Sequence, residues 1–286
     1  MKHLLTSWGE LEPVVTTQTV MLFFNEEQTL EPPSKGKAKR SPAARKMLQA
    51  LASTAGIKTA VVSSRPLAEL KKRLAVRGLI YVASQGLELE EPTGRFIHPH
   101  AAGAKKLMAK IWDRLKKTLK PFSAVAVQDK HFTLSVRYRR VAKENLDRVR
   151  AVFFRTVRSY LSSSQVVVKE GEGSWEISPA PKWNKGTTIV WLYGKTLAQS
   201  HDSLLPIYLG DGLGDEDVFY SIKPLGLGVK TTPESGETSA ATYFLQSPRE
   251  IPVLVKRILA CKASAAKKIE GQSKTAELAS SPVSSL

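Results

Sequence analysis

Residues 21–33, MLFFNEEQTLEPP, run from four consecutive apolar side chains into a polar turn and stop at two prolines. An apolar run bounded by turn residues reads as a buried strand, and in a parallel sheet the chemistry gathers just beyond the carboxyl ends of the strands. An amide, Asn25, and two carboxylates, Glu26 and Glu27, stand at that position. What can be done there depends on the identity of each.

Similar runs alternate with helical patterns on both sides of the middle of the chain: TVMLFFN, KTAVVSS and LIYVAS early, then PIYLGD, GLGVKT and TYFLQS late. That alternation implies βαβ units and a parallel sheet. Residues 101–181 follow a different pattern. A basic amphipathic helix repeats Leu107, Ile111, Leu115 and Leu119 every four residues. Two alternating strands follow in SAVAVQDKHFTLSVRYRR, then a second helix, ENLDRVRAVFFRTVRSYL, and a hairpin, SQVVVKEGEGSWEIS. Period-two alternation with one polar face marks an antiparallel sheet. The expected organisation is an α/β core over residues 1–100 and 182–262, discontinuous in sequence, with an α+β module inserted over 101–181. The Ser- and Ala-rich tail, 263–286, is expected to be disordered. PPSKGKAKRSP, Pro32–Pro42, reads as a surface loop.

The 286 residues are 42% hydrophobic, enough for one large core with a smaller inserted module. No apolar run reaches the roughly 18 residues that span a bilayer. The opening MKHLLTSWGELEP lacks a continuous apolar signal segment, and the single Cys261 can form no internal disulfide. A cytoplasmic location without membrane contact is the expectation. The charge of +17, from 43 Lys and Arg against 26 Asp and Glu, favours anionic partners: nucleic acid, acidic membrane or phosphorylated metabolites. Much of it falls on solvated helix faces and no RNA- or DNA-binding motif accompanies it, so nucleic-acid binding ranks last.

Four polar clusters follow the predicted core strands or open the helices after them, and the shared edge of a parallel sheet could bring them to one site. Asn25 and Glu27 are two apart, which in extended backbone directs both to one side; taken alone they also suit an ordinary polar turn. Ser63 and Arg65 follow KTAVV, where a serine can cap a helix or, with exposed amides, hold a phosphate. Lys185 opens a helix, where a cation opposes the helix dipole and calls for an anion beside it, the alternative being a long side chain that extends into water. In Gly210–Asp217, GDGLGDED, Asp211 sits where a hard cation such as Mg²⁺ could bind and Asp215 where it could hold a water ligand, while Asp217 serves only the first helical turn. His98 and His100 have no third ligand and read as surface residues. GxSxG, Walker and GxGxxG motifs are absent from the sequence.

In order and spacing these clusters resemble the haloacid dehalogenase superfamily of phosphatases, and more narrowly trehalose-phosphatases, from about Leu4 to Leu259. NEEQTLEP, 25–32, occupies the place of the family's Asp-x-Asp-Gly-Thr-Leu-x-Pro. VVSSRPLAEL is similar to the second motif, and LIYVASQGLELEEPTGR to a Ser-His-Gly-Leu-Glu segment. VQDKHFTLSVRYR resembles a Glu-Asp-Lys cap strand, WEISPAPKWNKG the approach to the motif-three lysine, and YLGDGLGDEDVF the Gly-Asp-Asp-x-x-Asp-Glu-Asp-x-Phe signature. The resemblance implies a Rossmann-like core with an α/β cap, Mg²⁺, and hydrolysis of trehalose 6-phosphate to trehalose. In the family one aspartate attacks phosphorus and a second works as acid and base.

Carried over by position, the nucleophile falls on Asn25 and the acid/base on Glu27, with Ser63 and Lys185 on the phosphate. The metal set falls on Asn25, Glu27, Asp211 and Asp215, and the substrate contacts on Arg65, Gln85, Gly86, Lys130 and Glu176. The departures lie at the chemistry. An amide is a poor nucleophile and a neutral metal ligand. Glu27 is longer by one methylene, Gln28 replaces a glycine, Gly212 removes a carboxylate and Ser178 replaces an arginine. A shifted register does not restore the nucleophile, because the first aspartate in the chain is Asp113. The reading that follows is a pseudophosphatase with weakened Mg²⁺ binding that holds a sugar phosphate or a partner such as a trehalose-phosphate synthase. An active phosphatase is the alternative, and a basic nucleic-acid-binding protein the remote one.

Overall fold

The computed structural model describes residues 1–280 apart from 28, 31–41, 100, 172, 181–183, 201, 212–213, 232 and 234–236. Residues 32–41 of the expected surface loop therefore lie outside the described residues, as do Gln28, His100 and Gly212. In chain order the elements begin with β1 (Lys2–His3), α1 (Trp8–Thr17), β2 (Thr19–Asn25), α2 (Pro42–Ala52), β3 (Ile57–Val62), α3 (Leu67–Leu74) and β4 (Ile80–Ala83). They continue with β5 (Glu88–Glu91), β6 (Gly94–Ile97), α4 (Ala101–Thr118), β7 (Ala126–Asp129), β8 (Leu134–Arg137), α5 (Lys143–Ser162), β9 (Val166–Gly171) and β10 (Ser174–Pro179). The last are α6 (Lys185–Gln199), β11 (Leu204–Gly210), α7 (Glu216–Ile222), β12 (Leu227–Thr231), β13 (Tyr243–Leu245) and α8 (Ile251–Ser280). The architecture is mixed α/β with a mostly parallel sheet and an inserted α+β module. Among the described residues no helix is long and apolar enough to cross a membrane.

Two compact units are distinguished: Met1–Ala60 with Val76–Leu79 and Trp191–Leu286, and Val61–Ala75 with Ile80–Val190. In the first, strands run in the order β1-β13-β12-β11-β2, every pair parallel. The apolar runs explain the pairing: every residue of β11 is buried and all but Thr19 of β2, as strands covered on both faces require. Helix α7 packs on β11 and β12, and α1 packs on α8. Ile251, Leu254, Val255, Ile258 and Cys261 form the buried stripe of α8 at helical spacing. Beyond Lys262 the expected disorder is replaced by helix as far as Ser280. The segment is rich in alanine, lysine and glutamate, strong helix formers, and it propagates from a turn already nucleated by packing.

The second unit holds an antiparallel meander, β4-β5-β6, with Leu89 opposite Phe96. Sequence patterning did not reveal β5 and β6, since ELEE and the mostly exposed GRFI have no apolar alternation to read. The unit also holds a four-stranded antiparallel sheet in the order β7-β8-β10-β9. Helices α4 and α5, with Leu119 just past α4, supply Met108, Ile111, Leu115, Val149, Phe153 and Val157 to a core shared with Leu134, Val136, Trp175 and Ile177. Met108, rather than the expected Leu107, joins Ile111 and Leu115 in this core, and Leu107 packs at its edge. The two are adjacent, and a spacing of three, then four, tracks the 3.6-residue turn more closely than strict fours.

Trp175 is 1% exposed, with its ring 4.3 Å from Phe153 at an interplanar angle of 17° and 4.1 Å from Tyr138. Trp175→Ala should therefore cost about 3–5 kcal/mol. Urea unfolding followed by far-UV circular dichroism would register this as a lowered midpoint, and an unchanged midpoint would contradict the central place given to the indole.

Candidate functional site

Parallel pairing of β2 with β11 places Leu209 opposite Phe24. Asn25, which ends β2, and Asp211, which follows β11, consequently leave the sheet at the same end. Between Leu209 and Asp211 the chain needs glycine: a Cβ on Gly210 would lie 2.5 Å from Asp215 Oδ2 and 2.7 Å from Tyr208 Cε1. Asp215 stands at the start of α7, fully buried, with its carbonyl accepting the amides of Val218 and Phe219 at 2.9 Å each.

These positions bring three predicted residues together. The Asn25 amide nitrogen donates to Asp211 Oδ1 at 3.0 Å and to Asp215 Oδ2 at 2.8 Å. Asp215 also accepts from the Asp211 backbone amide at 3.2 Å and, on its other oxygen, from the Tyr208 hydroxyl at 2.7 Å. Both oxygens of this buried carboxylate are thus hydrogen-bonded by neutral donors, which offsets the cost of burying its charge. Glu27 belongs to the same neighbourhood. Complete burial pushes the Tyr208 phenol well above its ordinary range, and the Asp215, Asp211 and Glu27 carboxylates push it further. Behind this cluster Lys230, 1% exposed, is paired with Glu237 and lies 3.7 Å from Glu216, whose oxygens bind Ser239 Oγ and the Ala240 amide.

Mg²⁺ takes oxygen ligands, commonly one or two carboxylates with waters and substrate phosphates. Here the Asn25 amide presents N–H bonds, not an oxygen, to the two aspartates, at the approach a cation would share with them. Among the described residues no three His, Cys, Asp or Glu gather closely enough for a metal. This donor set does not fit the ion that the family resemblance implies.

The other predicted residues lie in the second unit. Ser63 is fully buried just past β3, and its hydroxyl accepts the Arg65 amide at 3.1 Å. It does not cap α3: Pro66 holds the cap position, and the first helical amide, of Leu67, donates to Glu88 Oε2 at 3.2 Å. With Pro66 at the cap position, Ser64 and Ser63 lie two and three residues before it, too early to reach the orphan amides of the helix. Arg65 pairs with Glu69 one turn into α3. Gln85 donates its backbone amide to the Ser63 carbonyl at 3.3 Å, and the Ser84 amide reaches the Arg65 carbonyl at 2.8 Å, so the two segments are stitched together. Gly86 has φ +94°, and its carbonyl accepts the Thr188 hydroxyl at 3.2 Å. Lys185 is buried at the first position of α6. Lys130 and Glu176 form an ion pair of 3.0 Å, and Ser135 donates to the other Glu176 oxygen at 2.6 Å.

Several supporting residues escaped the sequence reading. Tyr208 sits inside an apolar run, and its only signal is that a buried tyrosine hydroxyl needs a partner. Glu88 is buried and binds Ser84 at 2.7 Å, Arg95 at 2.7 Å and the Leu67 amide. Asn184 caps α6, taking the Thr187 amide at 3.0 Å while the Thr187 hydroxyl takes its own at 2.7 Å. That reciprocal pattern at a spacing of three was available in NKGT but is short of the usual capping-box residues.

The family model for trehalose-phosphatase matches residues 26–249. The trehalose-phosphate phosphatase of Mycobacterium bovis is 32% identical over 221 residues, 76% of this chain and 55% of that protein. The chain thus spans about half the length of the curated relatives it matches. Among solved structures, the C-terminal domain of a C. albicans trehalose-6-phosphate phosphatase superposes with a TM-score of 0.72 at 17% identity, covering 88% of this chain and 96% of that one. The C-terminal domain of a Candida albicans trehalose synthase regulatory protein gives 0.67 at 12%, covering 85% and 94%. At those identities the structures establish the haloacid dehalogenase-like fold.

Two substitutions test the supporting geometry. A Cβ at Gly86 would lie 2.1 Å from Thr188 Oγ1 on backbone of positive φ, so Gly86→Ala should cost about 2–4 kcal/mol in denaturant unfolding. The folded chain keeps the Tyr208 proton above pH 10, where the unfolded chain releases its own; the unfolded state then binds fewer protons, and stability falls as pH rises past about 10. Tyr208→Phe should be less stable near neutrality but lose less on going from pH 9 to 11, and an equal loss in both proteins would contradict the buried, protonated phenol.

Proposed function

This chain belongs to the trehalose-phosphatase family, and from that membership we propose that it is a pseudophosphatase, binding trehalose 6-phosphate or a related sugar phosphate without turning it over at a phosphatase's rate. The observation that carries the reading is the Asn25 amide donating to Asp211 and Asp215 together. At the position where the resemblance implies an attacking carboxylate, the amide nitrogen has its hydrogens directed at the two acids and its lone pair delocalised into the carbonyl. No covalent phosphoryl intermediate can form on it in the family's manner. Loss of a covalent nucleophile costs on the order of 10⁴–10⁶ in rate. Glu27 keeps an acid without a nucleophile to serve.

The same amide explains why the cluster can persist without Mg²⁺. Two neighbouring carboxylates need positive charge or donated hydrogen bonds between them, and Asn25 supplies the bonds. We take Mg²⁺ binding here to be weak and derive no step through it. What supports ligand binding is the set of positions left intact: Ser63, Lys185, Arg65, Gly86, and the Lys130–Glu176 pair, with Gln85 offering an amide to a sugar hydroxyl. The domain arrangement proposed with this reading is a core of residues 1–100 and 182–262 with a cap of 101–181. A trehalose-phosphate synthase is the proposed protein partner; a protein of the same fold is named a trehalose synthase regulatory protein, so a regulatory setting for the architecture has a precedent.

With Mg²⁺ and trehalose 6-phosphate the purified chain should release phosphate at background rate, and calorimetry should detect saturable binding of the same ligand. Wild-type turnover at a rate the Asn25→Ala variant lacks would overturn the pseudophosphatase reading, and absence of both ligand binding and synthase pull-down would leave it without content. Asn25→Asp combined with Glu27→Asp and Gln28→Gly should raise phosphate release well above wild type. Independently of activity, Asn25→Asp places a third carboxylate in the cluster, so its melting temperature should be lower in EDTA and recover with Mg²⁺, while the wild type changes by less than about 1 °C.

A further inference from the structure

Helices α4 and α5 press their apolar stripes onto the four-stranded sheet, and on the side away from those stripes they bound a cleft of about 500 Å³. Three arginines line it, Arg114, Arg155 and Arg158, and no carboxylate does. The helical repeat sets the arrangement. Thr118 lies one turn beyond Arg114 on α4, while Ser159 and Ser162 lie one turn beyond Arg155 and Arg158 on α5, so each guanidinium has a hydroxyl neighbour at a spacing of four. The two helices are tied across the cleft by a 3.1 Å bond from the Thr156 hydroxyl to the Thr118 hydroxyl. Arg114 is oriented by Tyr160, donating to its hydroxyl at 3.3 Å with the guanidinium 5.8 Å from the ring centre.

We propose that this cleft binds a compact polyphosphate anion, at a site made from none of the residues assigned to the family's chemistry. Where an arginine of α5 serves structure it has an acid: Arg150 meets both Glu170 oxygens at 2.7 Å. Three guanidiniums sharing a cleft with no acid repel one another, and an anion removes that repulsion. Guanidinium forks match phosphate oxygens two at a time, and the Ser159 and Ser162 hydroxyls beside them can donate further bonds. The volume lies within the range of small-ligand pockets, about 300–1,000 Å³. A single phosphate offers too few oxygens for three forks, whereas a chain of two or three phosphates can engage them all. Three guanidiniums grouped between two helices match such a compact ligand better than the extended backbone of a nucleic acid, which binds along a stripe.

The full chain is titrated calorimetrically at physiological ionic strength with tripolyphosphate, with ATP and with inorganic phosphate. Saturable one-to-one binding of tripolyphosphate, at least about tenfold tighter than phosphate, is expected, and the Arg155→Ala/Arg158→Ala variant should weaken it at least about tenfold while retaining the wild-type circular dichroism spectrum. Lys185→Ala should leave the tripolyphosphate affinity within about twofold, which separates this cleft from trehalose 6-phosphate binding. Equal affinity for ATP and tripolyphosphate identifies the phosphate chain alone as the recognised group, and tighter ATP adds a contact to the base; both agree with the proposal. It is overturned by absence of saturable heat with either polyphosphate, by binding that survives the double arginine variant, or by tighter arginine-dependent binding of duplex DNA or RNA.

Discussion

Two aspartates brought together at a sheet edge pose one electrostatic problem, and the hydrogen bonds from the Asn25 amide to Asp211 and Asp215 answer it. Much of the nearby structure depends on that answer. Asp215 is fully buried, so its charge must be compensated locally; the amide, the Tyr208 hydroxyl and the Asp211 backbone do so together. The close approach needs Gly210, because any side chain there would strike the carboxylate. It also needs the parallel register of β2 against β11, which fixes where both strands end. A cation would satisfy the same pair by charge; here the amide does so by two donated hydrogen bonds. Asn25 is therefore coherent with its surroundings: its amide supplies the donors that the two aspartates need.

A second constraint governs the inserted module. Its core is built around Trp175, stacked between α5 and the strands, and both helices must turn their apolar stripes to the sheet. With that face committed, the basic residues of α4 and α5 are left on the outside. Some find acids, as Arg150 finds Glu170. Arg114, Arg155 and Arg158 instead line a cleft that holds none. Part of the chain's large positive charge is thus organised by helical spacing and does not merely solvate a surface.

The sequence was most legible where a periodic pattern meets a physical demand for burial. All six predicted core strands are present, as are both helices and both strand pairs of the inserted module, because runs such as PIYLG and alternations such as TLSVRY have few alternatives. It was least legible where structure rests on polar contacts between distant residues. The strands β5 and β6 lack an apolar pattern, and Glu88 gains its role from Ser84, Arg95 and Leu67 once the chain has folded. The serines after β3 suggested a cap, but Pro66 displaces them from it. The tail beyond Lys262 reads as uncommitted by hydrophobicity, yet its alanine-rich composition continues a helix already begun.

From the residues alone came the α/β class, the family, and the identity of the amide at the end of the first core strand. Each is local information: a period, a spacing, a side chain. The orientation of that amide, the burial of Asp215 and the partner of Tyr208 came only with the tertiary structure. Residues 208, 211 and 215 share one strand-turn-helix segment, but Asn25 is far away in the chain, and its bonds to the two aspartates exist only after parallel pairing has aligned the ends of β2 and β11. The sequence placed an amide at the end of β2; three-dimensional packing decided that it binds the two aspartates to each other.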